Sequence, residues 1–310
     1  MPAMHPPTLL CRLRPLLAAW LVTGALAASA AGCERTAAPL PPGPQRVLFV
    51  GNSFLHGHAA PVLHYHAARV TDLNGTGYGG VPAVFKQLAD DAGLQVEVSS
   101  ELASGQTLRF HADHQLPLFA GERWDAVVLQ EHSLLDPRHP GDGRALAAAV
   151  GRIGAAVHER HPATRIYLLE TWARADQVYR TPGGRWAGQT LEAMQADLRA
   201  AYAAAASQPG ACVTGVLPVG DATLRAVQDG VAARNPYDGK LGKFSLWGPD
   251  HHHLSAWGSY LEALVIFGRF SGRDPATLGP DSRAGRDLGL SAAQVEAAQA
   301  VASRQLRAGP

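Results

Sequence analysis

Five short apolar segments stand out along the chain, and each has the near-continuous hydrophobic composition of a β-strand covered on both faces. These segments are residues 46–50, 95–99, 125–130, 165–170 and 213–219. Apolar residues recur at helical spacing between and after them, in residues 82–92, 143–161, 188–206, 220–230, 256–270 and 291–307. Strands that alternate with helices predict a three-layer α/β/α fold around a central parallel sheet of about five strands.

The carboxyl ends of the predicted strands carry the residues of chemical interest. In parallel sheets of this kind, ligands bind beyond the carboxyl ends of the strands. Ser53, Gly105, Gln130 and Trp172 all fall at or just after such an end. Residues 55–80, rich first in histidine and then in glycine, have no assigned element, and we expect this stretch to overhang the site because it follows Ser53 directly.

A serine, a histidine and an aspartate are placed where they can act together. Ser53 follows the first strand in Gly51-Asn-Ser53, and Asp250-His-His-His253 comes just before a predicted helix. A histidine can accept the proton of a serine hydroxyl, and an aspartate can hold the second ring nitrogen of that histidine. The sequence therefore predicts Ser53 as nucleophile, His253 as base and Asp250 as its orienting carboxylate.

Simpler interpretations of these segments exist. Asn52 and Ser53 are both residue types that cap helices, and Asp250 could cap the helix that begins near Ser255. A cap after the first strand does not require an Asp-x-x-His segment near the other end of the chain, so we favour the nucleophile. The three-residue spacing from Asp250 selects His253 over its neighbours His251 and His252.

Four segments of the chain resemble the conserved blocks of the SGNH/GDSL hydrolase superfamily. Gly51-Asn-Ser53 resembles its nucleophile block, Ala103-Ser-Gly105-Gln-Thr-Leu108 its second block and Asp250-x-x-His253 its last. The third block normally reads Gly-x-Asn, but Val127-Val-Leu-Gln130-Glu-His-Ser133 occupies its place. This Gln-Glu-x-Ser variant resembles an uncharacterised subgroup of the superfamily. The resemblance spans most of residues 46–272 and implies a flavodoxin-like α/β fold.

The resemblance also implies an oxyanion hole, built from the backbone amides of Ser53 and Gly105. Superfamily members add an asparagine side chain as a third donor, which this chain lacks. Gln130 carries the same amide group and is the best substitute, although it could instead satisfy buried backbone at the strand end. Asn52, which could orient the Ser53 loop, and Trp172, which could equally pack in the core, are the candidate substrate-binding residues.

The resemblance implies a serine esterase that hydrolyses a small acyl ester on a carbohydrate or envelope glycan, with acetyl as the favoured acyl group. The reaction is expected to need no cofactor. Two alternatives stay open. An O-acyltransferase would use the same triad to pass the acyl group to a sugar. A non-catalytic surface glycan-binding or assembly protein would retain the fold without the activity. The absence of the third-block asparagine favours this second alternative.

Metal and nucleic-acid partners are not expected. His56, His58, His64 and His66 could supply zinc ligands, but no regular element fixes their geometry, so we predict no metal site. The formal net charge is +1 with 17% charged residues, which excludes the strongly basic surface of a nucleic-acid-binding protein.

The amino terminus has the layout of a bacterial export signal. Basic residues precede an apolar stretch that ends in Ala30-Ala-Gly-Cys33. We predict a lipoprotein signal over residues 1–32, lipidation of Cys33, a proline-rich tether over residues 33–45 and a catalytic domain over residues 46–310. The expected location is the outer membrane, facing the periplasm or the surface, with a lipid anchor as the only membrane contact. Cleavage after Ala30 would instead give a periplasmic or secreted protein. Cys212 is predicted to be unpaired.

Overall fold

The computed structural model describes residues 1–4, 38–208, 210–239 and 243–309. The chain divides into two units, Met1–Gly32 and Cys33–Pro310, and the fold described below belongs to the second unit. Cys33 and nearly all of the predicted signal lie outside the described residues. Within the described ranges, no helix has the length and apolar character that a membrane crossing requires.

The described strands form one sheet. They are β1 (Gln45–Gly51), β2 (Thr71–Asp72), β3 (Val96–Leu102), β4 (Ala126–Gln130), β5 (Arg165–Leu169) and β6 (Val213–Leu217). Their order is β2-β3-β1-β4-β5-β6 and every pairing is parallel. The predicted fold class is therefore confirmed, with the two-residue edge strand β2 as an addition.

Helices flank this sheet. They are α1 (Ser53–His56), α2 (Ala60–Leu63), α3 (Gly80–Asp91), α4 (Leu108–His114), α5 (Leu116–Phe119), α6 (Arg144–Arg160), α7 (Ala175–Tyr179), α8 (Leu191–Ala206), α9 (Val219–Gln228), α10 (Ala256–Ser271), α11 (Arg283–Asp287) and α12 (Ala292–Ala308). Short 3₁₀ turns occupy Ala67–Arg69 and Pro275–Leu278. Helix α10 packs against α3 and α12, whereas α6 packs against α4 and α8.

Two elements beside the site, β1 and α10, are deeply buried. In β1, the side chains of Val47, Leu48, Phe49 and Val50 are fully buried, because helices cover both faces of this central strand. Helix α10 is buried on nearly all sides, as expected for a helix without a polar face. Rigid packing of these elements fixes the segments that Ser53 and His253 occupy.

The stretch that the sequence left unassigned, residues 55–80, folds into short elements tied to the sheet. The carboxylate of Asp72 accepts hydrogen bonds from the backbone N–H groups of Asn74, Gly75 and Gly77. The Asn74 side chain then donates to Glu101 and accepts from the N–H of Leu102. The glycine-rich segment is therefore attached to the carboxyl end of β3.

Two further findings concern Cys212 and the predicted tether. Cys212 is disulfide-bonded, so the prediction that it is unpaired is wrong, and its partner is not among the described residues. The end of the predicted tether contacts the domain. The Leu40 N–H donates to the Phe270 carbonyl, and Arg165 donates to the carbonyls of Ala38 and Pro39.

Candidate active site

Ser53 begins helix α1, immediately after the central strand β1. Asn52 caps this helix, and its side-chain oxygen accepts a hydrogen bond from the Phe54 N–H at 3.1 Å. The capping interpretation therefore holds for Asn52, and it does not exclude the nucleophile interpretation for Ser53. Asn52 supplies the cap, which leaves the Ser53 hydroxyl to face another partner.

The structure brings Ser53, His253 and Asp250 together. The Ser53 Oγ lies 2.8 Å from His253 Nε2, and His253 Nδ1 lies 2.7 Å from Asp250 Oδ2. Both distances are typical of hydrogen bonds, so the three side chains form one continuous hydrogen-bonded series. Ser53 and His253 are 200 residues apart in sequence. This arrangement allows His253 to take the Ser53 proton while Asp250 holds the imidazole in position.

Asp250 also shapes the loop that carries His253. Its second oxygen, Oδ1, accepts hydrogen bonds from the N–H groups of His252 and His253 at 3.1 and 3.0 Å. Ser255 then caps α10 by accepting from the Gly258 N–H. A single carboxylate thus folds the turn and orients the histidine, which accounts for the three-residue spacing.

Burial and hydrogen bonding set the protonation states of the pair. Burial lowers the pKa of His253 to about 4, although the hydrogen bond that its ring donates to Asp250 acts in the opposite direction. For Asp250, burial raises the pKa, but hydrogen bonds from the His253 ring and from the backbone of His252 and His253 outweigh it and bring the pKa to about 2. At neutral pH, His253 is therefore uncharged and Asp250 is ionised, as a general base and its partner require.

The two neighbouring histidines have other contacts. The His252 carbonyl accepts a hydrogen bond from the Trp172 indole N–H at 2.8 Å. His251 has a positive φ of 58° and packs its ring against Tyr237. Of the three adjacent histidines, His253 is the one whose ring reaches Ser53.

In the loops after β1 and β3, the backbone N–H groups of Ser53 and Gly105 have no hydrogen-bond partner within the described part of the chain. Gly105 precedes Gln106, whose carbonyl accepts a hydrogen bond from the Asn52 side chain. Gly105 is exposed and has a φ of +73°, a conformation that glycine adopts without strain. Unpaired donors beside a nucleophile can stabilise an oxyanion.

Gln130 ends β4, as the sequence predicts, but its side chain does not have the predicted role. Its side chain is fully buried, and its carbonyl oxygen accepts from the Asn52 N–H at 2.9 Å. Its amide nitrogen donates to the carbonyl of Glu131. A Cβ built on Gly51 would come within 2.5 Å of the Gln130 oxygen. Gln130 therefore stabilises the loop that carries Ser53. The prediction that it is an oxyanion donor is corrected, because its amide nitrogen already donates to a backbone carbonyl.

The next residue, Glu131, supports the opposite loop. Its carboxylate is fully buried and accepts hydrogen bonds from the N–H groups of Leu108, at 3.2 Å, and His132, at 2.5 Å. Burial raises the pKa of Glu131 to about 8. Gln130 and Glu131 thus connect the loop after β1 with the start of α4, which follows the Gly105 loop.

Neither of the two candidate substrate-binding residues faces solvent. Trp172 is fully buried and stacks on Phe54, with ring centroids 4.1 Å apart. Asn52 is 2% exposed, and its amide donates to the Gln106 carbonyl at 2.8 Å. Both residues position the loops of the site, and the prediction that they contact substrate is corrected because they are buried.

Sequence reasoning missed His58 and Arg174 as neighbours of the triad. The exposed His58 ring stacks on His253, with centroids 4.5 Å apart and 13° between the planes. No pattern in the sequence indicates that contact. Arg174, mostly buried, donates to Asp176 and to the Ser133 hydroxyl. Its position just after β5 is a signal that could have indicated it.

The zinc interpretation of the histidine-rich stretch does not match the contacts. His56 is buried against Tyr78, His64 bonds to the Gly77 carbonyl and His66 to Asp287. In the described residues, the group that could hold a metal ion is His58, Asp250 and His253, with ligand atoms within 4.8 Å of one another. A metal held there would replace the proton between His253 and Asp250 and thereby disrupt the triad.

By sequence, the chain matches no family profile and no curated protein. By structure, it is similar to a proposed GDSL-like lipase from Parabacteroides merdae ATCC 43184, with a TM-score of 0.53 and 16% identity over 75% of this chain and 98% of that one.

Looser likenesses extend to two further solved structures. LAE5, an α/β hydrolase from the metagenome of Lake Arreo in Spain, has a TM-score of 0.49 and 13% identity, over 74% of this chain and 95% of that one. A variant of Axe2, an acetyl xylan esterase from Geobacillus stearothermophilus, has a TM-score of 0.45 and 14% identity, over 81% and 97%. The chain is thus an α/β protein that shares its fold with the GDSL-like lipase and carries a Ser-His-Asp chain at the carboxyl edge of its sheet.

Proposed function

We propose that this protein is a serine esterase in which Ser53 is the nucleophile, His253 the general base and Asp250 the carboxylate that orients it. The observation that carries the proposal is the unbroken hydrogen-bonded chain from Ser53 Oγ through His253 to Asp250. The uncharged state of His253 at neutral pH and the two unpaired N–H groups beside Ser53 support it.

The reaction proceeds in two steps. Ser53 Oγ attacks the ester carbonyl carbon as its proton passes to His253 Nε2, and the carbonyl oxygen becomes an oxyanion facing the N–H groups of Ser53 and Gly105. Collapse of this intermediate expels the alcohol, which takes the proton from His253. Water then attacks the acyl-enzyme with His253 again as base, which releases the acid and restores Ser53.

The surroundings of the triad favour a short acyl group on a hydrophilic alcohol. The residues around His253 are polar, including His58, His252 and Asp250, whereas the apolar Phe54 and Trp172 are buried. A long acyl chain needs an exposed apolar groove. The large apolar side chains that are exposed among the described residues are Met1, Met4 and Leu118, and none of them comes from a segment that carries the site. Together with the superfamily resemblance, this favours acetyl esters of carbohydrates or envelope glycans.

A series of p-nitrophenyl esters tests both the mechanism and the acyl preference. We expect the purified protein to hydrolyse the acetate faster than the butyrate and octanoate, with activity lost in Ser53→Ala. Equal turnover by wild type and Ser53→Ala would contradict the serine mechanism, and a preference for octanoate would contradict the short acyl site. Product analysis with an added sugar acceptor separates hydrolysis from acyl transfer.

We further propose that the protein is exported and anchored through a lipid on Cys33. In the mature protein, lipidation of Cys33 and a disulfide at Cys212 exclude each other, because Cys11 lies in the proposed signal and a sulfur that carries a lipid thioether cannot form a disulfide. Mass spectrometry of the membrane fraction should find an acylated amino-terminal Cys33. A peptide in which Cys33 is joined to Cys212 by a disulfide would contradict the proposal.

A further inference from the structure

His132 lies at the carboxyl edge of the strand next to Ser53. Strands β1 and β4 are parallel neighbours with Val50 paired to Leu129, and Ser53 and His132 each come three residues beyond that pair. Strand β3, which leads to Gly105, flanks β1 on the other side. Apart from the edge strand β2, the strand order is that of flavodoxin-like sheets, in which the crevice between β1 and β4 is the usual ligand position.

The hydrogen bonds of His132 define which ring nitrogen carries the proton. His132 Nδ1 lies 3.2 Å from the backbone nitrogen of Leu134, which can only donate. The proton of the neutral ring is therefore on Nε2. Nε2 has no hydrogen-bond partner in the part of the chain that the structure describes, so it presents an unused donor.

The ring is also held neutral. Burial lowers the pKa of His132 to about 4, and the positive charge of Arg174 acts in the same direction. Its backbone is fixed, because the Glu131 carboxylate accepts the His132 N–H at 2.5 Å. The histidines that lower the same pKa further, His252 and His253, belong to the triad loop.

We propose that the Nε2–H of His132 is a side-chain donor to the oxyanion, complementing the backbone N–H groups of Ser53 and Gly105. This inference rests on the proposed esterase function. When Ser53 attacks the carbonyl carbon, the electron pair of the C=O bond moves to oxygen, and His132 donates a hydrogen bond to that oxygen without giving up its proton. A neutral imidazole can act in this way as an electrophile.

Other side chains of this region are already engaged. Both polar atoms of the Gln130 amide bond to backbone. The Arg174 guanidinium donates to Asp176 and Ser133. The Nε2–H of His132, by contrast, has no protein acceptor among the described residues.

Substitutions that separate the acceptor from the donor test the proposal. Asparagine at position 132 can accept from the Leu134 N–H with its oxygen and still donate with its nitrogen, whereas aspartate keeps only the acceptor. In p-nitrophenyl acetate hydrolysis we expect His132→Ala and His132→Asp to lower kcat by about 10²–10³-fold with KM little changed, as for loss of an oxyanion donor. His132→Asn should recover most of that loss.

The pH profile distinguishes this role from a merely structural one. His253 and His132 are both uncharged between pH 6 and pH 8, so His132→Ala should lower kcat/KM by the same factor throughout that range. Thermal melting of each variant provides the folding control.

Three outcomes decide between the two proposals. If wild type exceeds Ser53→Ala while folded His132→Ala keeps the full kcat, the oxyanion role of His132 is overturned and the esterase stands. Folded His132→Asn that is as slow as His132→Asp also overturns that role. If wild type and Ser53→Ala are equally active, the esterase proposal itself fails.

Discussion

The imidazole of His253 is enclosed by aromatic rings. His58 stacks on one side of it at 4.5 Å, and Phe54 meets it edge to face at 5.4 Å. This enclosure is the physical origin of its low pKa, because a charged ring loses hydration when it is covered. A histidine that is open to solvent titrates at roughly 6–7. The structure instead moves the titration to a lower pH.

The expected pH profile follows from that shift. The base must be neutral, so kcat/KM should stay high from pH 8 down to pH 6 and fall as the pH drops through about 4. His58→Ala should move this limb to higher pH, because it uncovers His253 and removes a neighbouring positive charge. The measurement is kcat/KM for p-nitrophenyl acetate across pH 3–8.

A second exposed histidine provides the matched control for that experiment. His64 lies in the same stretch as His58 but bonds to the Gly77 carbonyl, so His64→Ala should leave the limb in place. A wild-type limb between pH 6 and 7, or one that does not move in His58→Ala, would show that His58 does not lower the pKa of His253.

At the scale of elements, the loops after β1, β3 and β4 are joined by side chains that bond to backbone. The Gln130 side chain accepts a hydrogen bond from the Asn52 N–H, and the Asn52 side chain donates to the Gln106 carbonyl. The Glu131 carboxyl group accepts from the Leu108 N–H. These contacts bring the two backbone donors of the site, at Ser53 and Gly105, into one rigid unit. Preorganised donors of this kind stabilise a developing charge without rearrangement.

Removal of the Glu131 carboxylate tests this unit. Glu131→Ala leaves the buried N–H groups of Leu108 and His132 without their acceptor, and each unsatisfied group costs about 1–3 kcal/mol. We expect a lower melting temperature and a lower kcat, with a milder effect in Glu131→Gln, which keeps one acceptor oxygen. Equal stability of Glu131→Ala and wild type in thermal melting would contradict the assignment.

The elements differ in how far the sequence could predict them. Strands such as β1 and β4 were predicted from sequence because a strand buried on both faces has a continuous apolar run. Strand β2 could not be predicted, since it is two residues long and the segment after it is fixed by a hydrogen bond that the Asn74 side chain accepts from the distant Leu102 N–H. The triad residues were indicated by spacing, but the burial of Trp172 and Gln130 depends on tertiary packing that no local pattern encodes.

At the scale of the whole molecule, helix α10 contains a buried carboxyl group without a hydrogen-bond partner among the described residues. Glu262 is fully buried, and neither of its carboxyl oxygens has a hydrogen-bond partner among the described residues. Burial raises its pKa well above the ordinary value. A partnerless buried carboxyl destabilises the folded state.

Replacement of Glu262 by an apolar residue of similar size should therefore stabilise the protein. We expect Glu262→Leu to raise the melting temperature, with Glu262→Gln as the control that keeps a polar group. In the unfolded wild type Glu262 ionises above about pH 4.5, whereas the folded state holds it protonated, so wild-type stability falls as the pH rises. The gain in Glu262→Leu should thus be larger at pH 8 than at pH 5, and a loss of stability at both would contradict this account.

The nucleophilic character of Ser53 is the central claim, and covalent labelling tests it most directly. The measurement is the rate and site of modification by diisopropyl fluorophosphate, mapped by peptide mass spectrometry in wild type, His253→Ala and Asp250→Asn. We expect rapid modification of wild type at Ser53 alone and much slower modification of both variants, since His253 and Asp250 activate the hydroxyl. Modification at another residue, or equal rates in all three proteins, would contradict the claim.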